Sequence, residues 1–323
     1  MEKKIIIVGN GLGMAIDPEH FSLTNALKKI WDKPDLLTEY HKELINKCTK
    51  RNDAPEYEEE LDDLHLAITS CKTLNRIGSG EIHWLSDYGQ EFPEVTARYI
   101  HKVATYLHNS ECDLPSSFEK PLIDFIKKTK SHVATLNYDK LLYSLFIKND
   151  VFKGYNGVLI DGITNKGFKA ENMERKYEKT FGYYLHLHGS PLFIDSDSDS
   201  GSTINKLARK DLTLKSKKVG EHIVLTHVKH KPEVIASSYI LRTYWNYLRF
   251  SLSEVEEVIL FGYSGEDNHL NELIRPYLSN KTVRIVEWSD AGKKENREEY
   301  WKEKLGSDFT LVQLENITEF TDW

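Results

Sequence analysis

Hydrophobic and polar positions follow two different periods along this chain, and the switch between them outlines the fold. Lys4 to Gly9 reads K-I-I-I-V-G, a continuous β-branched run closed by glycine, which predicts a strand buried on both faces. A glycine-rich turn, Asn10 to Asp17, follows it. From about Leu36 to Asn109 the period becomes helical. Leu37, Tyr40, His41, Leu44, Ile45 and Cys48 share one face, as do Leu61, Leu64, His65, Ile68 and Cys71, and then Val95, Tyr99, Val103 and Tyr106. No parallel-sheet strand is expected within that stretch.

Beyond it, strands and helices alternate. A helix is expected at Pro121 to Lys128, a short strand at His132 to Leu136 and a helix at Asp139 to Ile147. Gly154 to Gly167 reads as turns with a small hairpin. Tyr183 to His188 is a strand ending at Gly189, and Glu221 to Thr226 carries a fainter strand pattern. A helix from about Ser238 to Leu252 precedes the clearest buried strand, Val255 to Tyr263. Asp267 to Leu278 (helix), Thr282 to Trp288 (strand), Lys294 to Leu305 (helix) and Phe309 to Leu314 (strand) complete the pattern. This alternation predicts an α/β fold: a Rossmann-type, mainly parallel sheet covered by helices on both faces. Residues 1–20 and 116–323 would form that domain, with residues 21–115 inserted as a helical module.

Bulk properties narrow the function. The 323 residues suffice for a sizeable core, and 40% hydrophobic with 29% charged is ordinary for a soluble globular protein. A net charge of −7 argues against direct nucleic-acid binding, which calls for a basic surface. The apolar run Ile5 to Val8 is too short for a signal peptide, and no uncharged stretch reaches membrane length, so a cytoplasmic protein without membrane contact is expected. Cys48, Cys71 and Cys112 form no C-x-x-C, which leaves neither a zinc knuckle nor a disulfide scaffold.

Three polar segments read as solvated. Asp195 to Gly201 (D-S-D-S-D-S-G) lacks the sixth-position glycine and twelfth-position glutamate of a calcium loop and reads as a mobile loop. The basic run Lys206 to Lys218 reads as an exposed face, with phosphate contact as the alternative. The acidic run Glu56 to Asp63 also reads as a solvated helix face, and otherwise as a place for self-association or partner contact.

Four motifs carry candidate chemistry, each at the end of an expected strand, where ligands bind in open parallel sheets. Gly9, Asn10, Gly11 and Gly13 can bring backbone N–H groups close to a pyrophosphate, although the spacing is not G-x-G-x-x-G and a simple tight turn fits as well. In Thr135-Leu-Asn137-Tyr-Asp139 the asparagine can orient a ribose or a water, or either polar residue can cap the next helix. In Leu185-His-Leu-His188-Gly189-Ser190, His188 suits general-base work, and Gly189 leaves room for substrate. His186 reads as a core histidine. The two histidines as metal ligands lack any supporting carboxylate. Gly262-Tyr-Ser264-Gly-Glu-Asp267 offers small residues for a nucleotide, with Asp267 binding a hydroxyl or capping a helix. Glu287, at the end of the last parallel strand, is a candidate for a ribose hydroxyl.

Taken in order, these motifs resemble the sirtuin-like NAD-binding family, and within it the zinc-free bacterial branch, many of whose members act in antiphage defence. The Thr-x-Asn-x-Asp element matches Thr135, Asn137 and Asp139, the His-Gly pair matches His188 and Gly189, and Gly-Tyr-Ser-x-x-Asp matches Gly262, Tyr263, Ser264 and Asp267. The resemblance implies that Asn137 and His188 are catalytic, that the glycine-rich elements hold NAD as substrate, and that no metal is needed. Without the four-cysteine zinc module of protein-deacylating sirtuins, it favours an NAD+ glycohydrolase that depletes NAD in defence. A homo-oligomer, with a partner protein in a defence complex, is the accompanying expectation. Two other readings stay open: an NAD-dependent protein deacylase, and a non-catalytic NAD or ADP-ribose sensor or scaffold subunit.

Overall fold

A computed structural model describes residues 2–198, 201–213, 220–292 and 296–323. The first strand, β1 (Lys4–Val8), leads into two short helices, α1 (Gly11–Ile16) and α2 (Pro18–Phe21). The helical segment comprises α3 (Leu23–Trp31), α4 (Glu39–Thr49), α5 (Asp62–Ile77) and α6 (Asp87–His108). Then come α7 (Ser116–Thr129), β2 (His132–Thr135) and α8 (Leu141–Lys148). Short strands β3 (Leu159–Ile160), β4 (Ile163–Thr164) and β5 (Gly167–Phe168) precede β6 (Gly182–His186) and the hairpin β7 (Phe193–Ser198) with β8 (Gly201–Lys206). The chain ends with α9 (Lys231–Ser237), α10 (Tyr239–Glu254), β9 (Glu257–Phe261), α11 (Asn268–Leu278), β10 (Thr282–Trp288), α12 (Arg297–Leu305) and β11 (Thr310–Leu314).

Seven strands form one sheet in the order β11-β10-β9-β1-β2-β6-β3, and each of its neighbouring pairs is parallel. The expected Rossmann-type α/β sheet is therefore present. Strand order runs outward from β1 in one direction and from β9 in the other, so the two lie side by side at the topological switch point. In doubly wound sheets the ligand crevice opens there, beyond the carboxyl ends of the strands.

Alternate residues of the central strands feed two cores. Ile5, Ile7, Val258 and Leu260 face α10 and α11, while Ile6, Val8, Ile259 and Phe261 face α7 and α8. Continuous β-branched and aromatic runs are what a sheet buried on both sides demands. The helical segment builds a third core around Leu27, Ile30, Tyr99 and Val103, which Tyr138, Ile223 and Leu225 of the sheet region join. Its helices start with side-chain caps, as Ser22 accepts from Asn25 N, Thr38 from His41 N and Ser86 from Gly89 N.

Several expectations need correction. Glu221 to Thr226 is not a strand: Ile223 makes one isolated antiparallel bridge to Gly189, and its side chain belongs to the helical core. Asp195 to Gly201 is not a loop over its described residues but part of the β7–β8 hairpin, which buried Phe193 and Ile204 anchor at its base; Asp199 and Ser200 lie outside the described residues. Lys206 is not on a solvated face. It is enclosed, with Nζ 3.2 Å from the centroid of the Tyr143 ring and 3.8 Å from Asp161 Oδ2, and burial pushes its ammonium down to about 8. Residues 214–218 of that basic run, and Lys294 of the last expected helix, lie outside the described residues. No described helix is long and apolar enough to cross a membrane.

Candidate functional site

Strand register determines which side chains meet. Phe261 of β9, Val8 of β1, Thr135 of β2 and His186 of β6 form one continuous row across the sheet. Two residues beyond that row stand Tyr263, Asn10, Asn137 and His188. The row continues one residue further in hydrogen bonds, Leu136 N donating to Val8 O (3.0 Å) and Leu187 N to Thr135 O (2.9 Å). Asn137 and His188 thus leave adjacent parallel strands at equivalent positions, and both line a single cavity of about 470 Å3.

A second cavity, of about 850 Å3, adjoins it and shares Asn10, Gly11, Gly262, Tyr263, Ser264 and Glu266 as lining. Both volumes fall in the range of about 300–1,000 Å3 usual for small-molecule sites. Their common floor is the contact between the loops after β1 and β9. Gly9 N donates to Phe261 O (2.9 Å) and Gly11 N to Gly262 O (2.8 Å). A Cβ on Gly9 or on Gly11 would come within 2.6 Å of Gly262 O, and Gly262 itself has φ +57. Glycine is required here for backbone approach.

Asn137 is held from two sides. Its backbone N–H donates to Thr135 Oγ1 (3.0 Å), and its side-chain Nδ2 donates to Gly9 O (3.0 Å). Its Oδ1 is sealed from solvent with no hydrogen-bond partner. Asp139 repeats the pattern. Oδ1 accepts from Leu141 N (2.8 Å) as α8 begins, whereas Oδ2 is sealed and unpartnered, although the residue as a whole is only partly buried. Burial raises the Asp139 carboxyl to about 6, against the lowering influence of the Leu141 N–H and the nearby Asn137 amide. An orphaned buried oxygen costs about 1–3 kcal/mol, and two of them belong to residues that line one cavity.

His188 is paired with Asp267 through Nε2 and Oδ2 at 2.9 Å. The same Oδ2 accepts from Lys231 Nζ (3.0 Å), and Lys231 Nζ lies 2.9 Å from Glu58 Oε2. Burial would raise the Asp267 carboxyl, but the His188 bond, the Lys231 charge and the N–H of Leu270 outweigh it and hold it far below the usual carboxylate range. Lys231, likewise buried, is raised because Glu58 and Asp267 flank it. A carboxylate is an acceptor only, so Nε2 of His188 carries the proton, and Nδ1 is the basic nitrogen of the neutral ring. Asp267 meanwhile caps α11, accepting from Leu270 N (3.0 Å).

Other expected residues take different places. Gly13 lines neither cavity, since a Cβ there would meet the Phe21 ring at 2.7 Å; it serves packing. Thr135 and Gly189 are also outside both linings. Gly189 does not leave room for substrate. At φ +81, a Cβ would meet His222 O at 1.8 Å, so this glycine turns the chain sharply behind His188. Glu287 borders the larger cavity, but Oε1 and Oε2 accept from Arg297, Trp301 and Gln313. Taking up a ribose hydroxyl would displace one of those donors. His186 is buried among Tyr143, Tyr184, Phe193 and Tyr244, well placed as a core residue.

Lys231, Glu58 and Tyr138 escaped the sequence reading. Glu58 belongs to the acidic run, most of which is paired within the chain: Arg51 pairs with Glu56 and Glu60, Lys50 with Asp63, Lys229 with Asp62 and Lys231 with Glu58. The helical segment therefore contributes a wall of the smaller cavity rather than only a solvated face.

Sequence comparison reaches the same region. A family model described as a SIR2-like domain matches residues 131–308, more than half of the chain, from the residue before β2 to a point just before β11. No curated protein matches the chain.

Proposed function

Because the chain belongs to the SIR2-like domain family, whose members are typically NAD-dependent enzymes, we propose that it is an NAD+ glycohydrolase that cleaves the bond between nicotinamide and ribose. The observation that carries this reading is the convergence of Asn137 and His188 on one cavity at the sheet's switch point. In this reading the smaller cavity takes the nicotinamide ribose, the larger the adenosine half, and the diphosphate crosses Asn10, Gly11, Gly262 and Ser264 between them.

The chemistry asks little of the protein beyond placement and charge. Nicotinamide is a good leaving group, because its ring nitrogen is cationic in NAD and neutral once it departs with the bonding pair. The protein must stabilise oxocarbenium-like charge on the ribose and position one water. Asn137, which lines the cavity and whose Oδ1 no group of the chain satisfies, turns that oxygen toward the ribose and the water on binding. His188 Nδ1 takes the proton the water gives up as its oxygen bonds to the anomeric carbon. Asp267 fixes the ring by Nε2 and stabilises the imidazolium that forms. The products are nicotinamide and ADP-ribose. Asp139 supports the Asn137 loop, and Glu287 acts through Arg297 at the rim of the larger cavity.

In the same reading, residues 21–115 are a helical module inserted into a domain of residues 1–20 and 116–323. Exposed Ile77, Ile82 and Trp84 on that module support self-association into a homo-oligomer. Following the zinc-free bacterial branch that the motifs resemble, the role is that of a cytoplasmic antiphage-defence effector, acting alone or with a partner protein. The test is incubation of purified protein with NAD across a range of protein concentrations, with nicotinamide followed by chromatography. Release of nicotinamide that needs an acylated peptide would instead establish a deacylase, and saturable binding without turnover would establish a sensor.

A further inference from the structure

A second cluster of ionisable side chains lies outside both cavities, where the helical segment meets the chain before α10. Asp62 and His65 stand three residues apart at the start of α5, hence on one helix face. His230 and Glu233 repeat that spacing at the entry to α9. The two pairs confront each other. His230 Nε2 lies 2.7 Å from Asp62 Oδ1, and His65 Nε2 lies 3.8 Å from Glu233 Oε2. The rings of His65 and His230 stack with centroids 4.1 Å apart and planes inclined by 17°. One donor atom from each of His65, His230 and Glu233 falls within 4.8 Å of the others, and among the described residues no other such group of histidine, cysteine and carboxylate donors occurs.

We propose that His65, His230 and Glu233 bind one divalent transition-metal ion of the zinc class, with Asp62 holding the His230 ring. The donor set is that of a zinc-type site with two imidazoles and one carboxylate, leaving a position for water. Metal-bound histidines commonly rest their other ring nitrogen on a carboxylate, which is the relation of Asp62 to His230. His65 Nε2 is sealed from solvent and has no hydrogen-bond partner, so its lone pair faces Glu233 across a gap too long for a hydrogen bond. Lys72 and Lys229 add positive charge nearby; Lys229 is paired with Asp62 through the other oxygen.

Donor atoms around a tetrahedral zinc-type ion lie roughly 3.3 Å apart when bonds are about 2.0–2.1 Å. The spacings here are no more than 4.8 Å and must therefore close by up to about 1.5 Å, through the largely exposed Glu233 side chain and a turn of the stacked His65 and His230 rings. The ion would tie the helical segment to the chain that carries Lys231, one residue from His230. It runs against the expectation of a metal-free chain, and it is independent of what the cavities bind.

Equilibrium dialysis of chelator-stripped protein against zinc, with metal counted by mass spectrometry, tests the site. The expected result is one zinc per chain, a higher Tm with zinc, and binding at least tenfold weaker in His65→Gln and His230→Gln. Glu233→Gln, on an exposed side chain, carries the same expectation where a histidine variant fails to fold. A Cys48→Ser/Cys71→Ser variant is expected to bind as the parent does. No stoichiometric uptake, uptake unchanged in Glu233→Gln and in the folded histidine variants, or loss of uptake only in the cysteine variant would each overturn the proposal.

Discussion

Asn137 and His188 stand two residues beyond the paired Thr135 and His186, at equivalent positions on adjacent parallel strands. Because register in a parallel pair is shared residue by residue, the two side chains emerge at the same height of the sheet. Everything proposed for the smaller cavity follows from that geometry.

Asp267 is expected to govern the tautomer of His188. In Asp267→Asn the helix cap survives, since asparagine caps as well as aspartate. The new amide donates toward Nε2 and shifts the ring proton to Nδ1, the nitrogen needed as base. The expected outcome is a fall in kcat of about 10²–10⁴-fold with KM little changed. Steady-state kinetics with NAD checks it; a kcat within a factor of three of the parent would remove Asp267 from this role.

Asp139 links pH to stability with a distinct sign. Its carboxyl is near 3.8 unfolded and about 6 folded, so the folded state binds the extra proton between those values and stability declines as pH rises through that window. Asp139→Asn removes the charge while keeping an acceptor for Leu141 N. It should stabilise the protein at pH 7.5 by on the order of 2–3 kcal/mol, an advantage that vanishes near pH 4. Denaturant melts at the two pH values read this directly.

Lys231 neutralises two carboxylates, one from each part of the molecule. Lys231→Met leaves Asp267 and Glu58 facing each other in a buried setting, with a cost on the order of 2–4 kcal/mol, moderated by the partial exposure of Glu58. Glu58→Gln should cost less than about 1 kcal/mol in stability and act on KM for NAD. Paired thermal melts and kinetics would separate the two effects.

Gly9 tests the floor shared by both cavities. A methyl group there collides with Gly262 O, so Gly9→Ala should destabilise by about 1–3 kcal/mol and weaken nucleotide binding. Unchanged affinity for NAD in a folded Gly9→Ala protein would move the diphosphate away from these loops.

The sheet was legible in the sequence because its strands are buried on both faces and so write continuous apolar runs, as at Ile5–Val8 and Val258–Phe261. The site loops were legible because they follow those runs directly. What stayed hidden depends on contacts distant in sequence. Lys231 finds Glu58 and Asp267 only once the helical segment is docked on the sheet, and nothing in K-H-K-P-E announces it. The β7–β8 hairpin escaped because its serines and aspartates carry no apolar alternation, while Phe193, Ile194 and Ile204 anchor its base. Glu221 to Thr226 misled in the opposite way: Ile223 and Leu225 are buried against the helical core and Val224 in the core beneath α10 and α11, without a strand ladder.

The most direct measurement is nicotinamide release from NAD by the purified chain beside Asn137→Ala and His188→Ala, each confirmed as folded by its melting curve. Turnover by the parent, with a loss of at least about 100-fold in both variants, is the predicted result. Parent-level turnover in both folded variants would contradict the account.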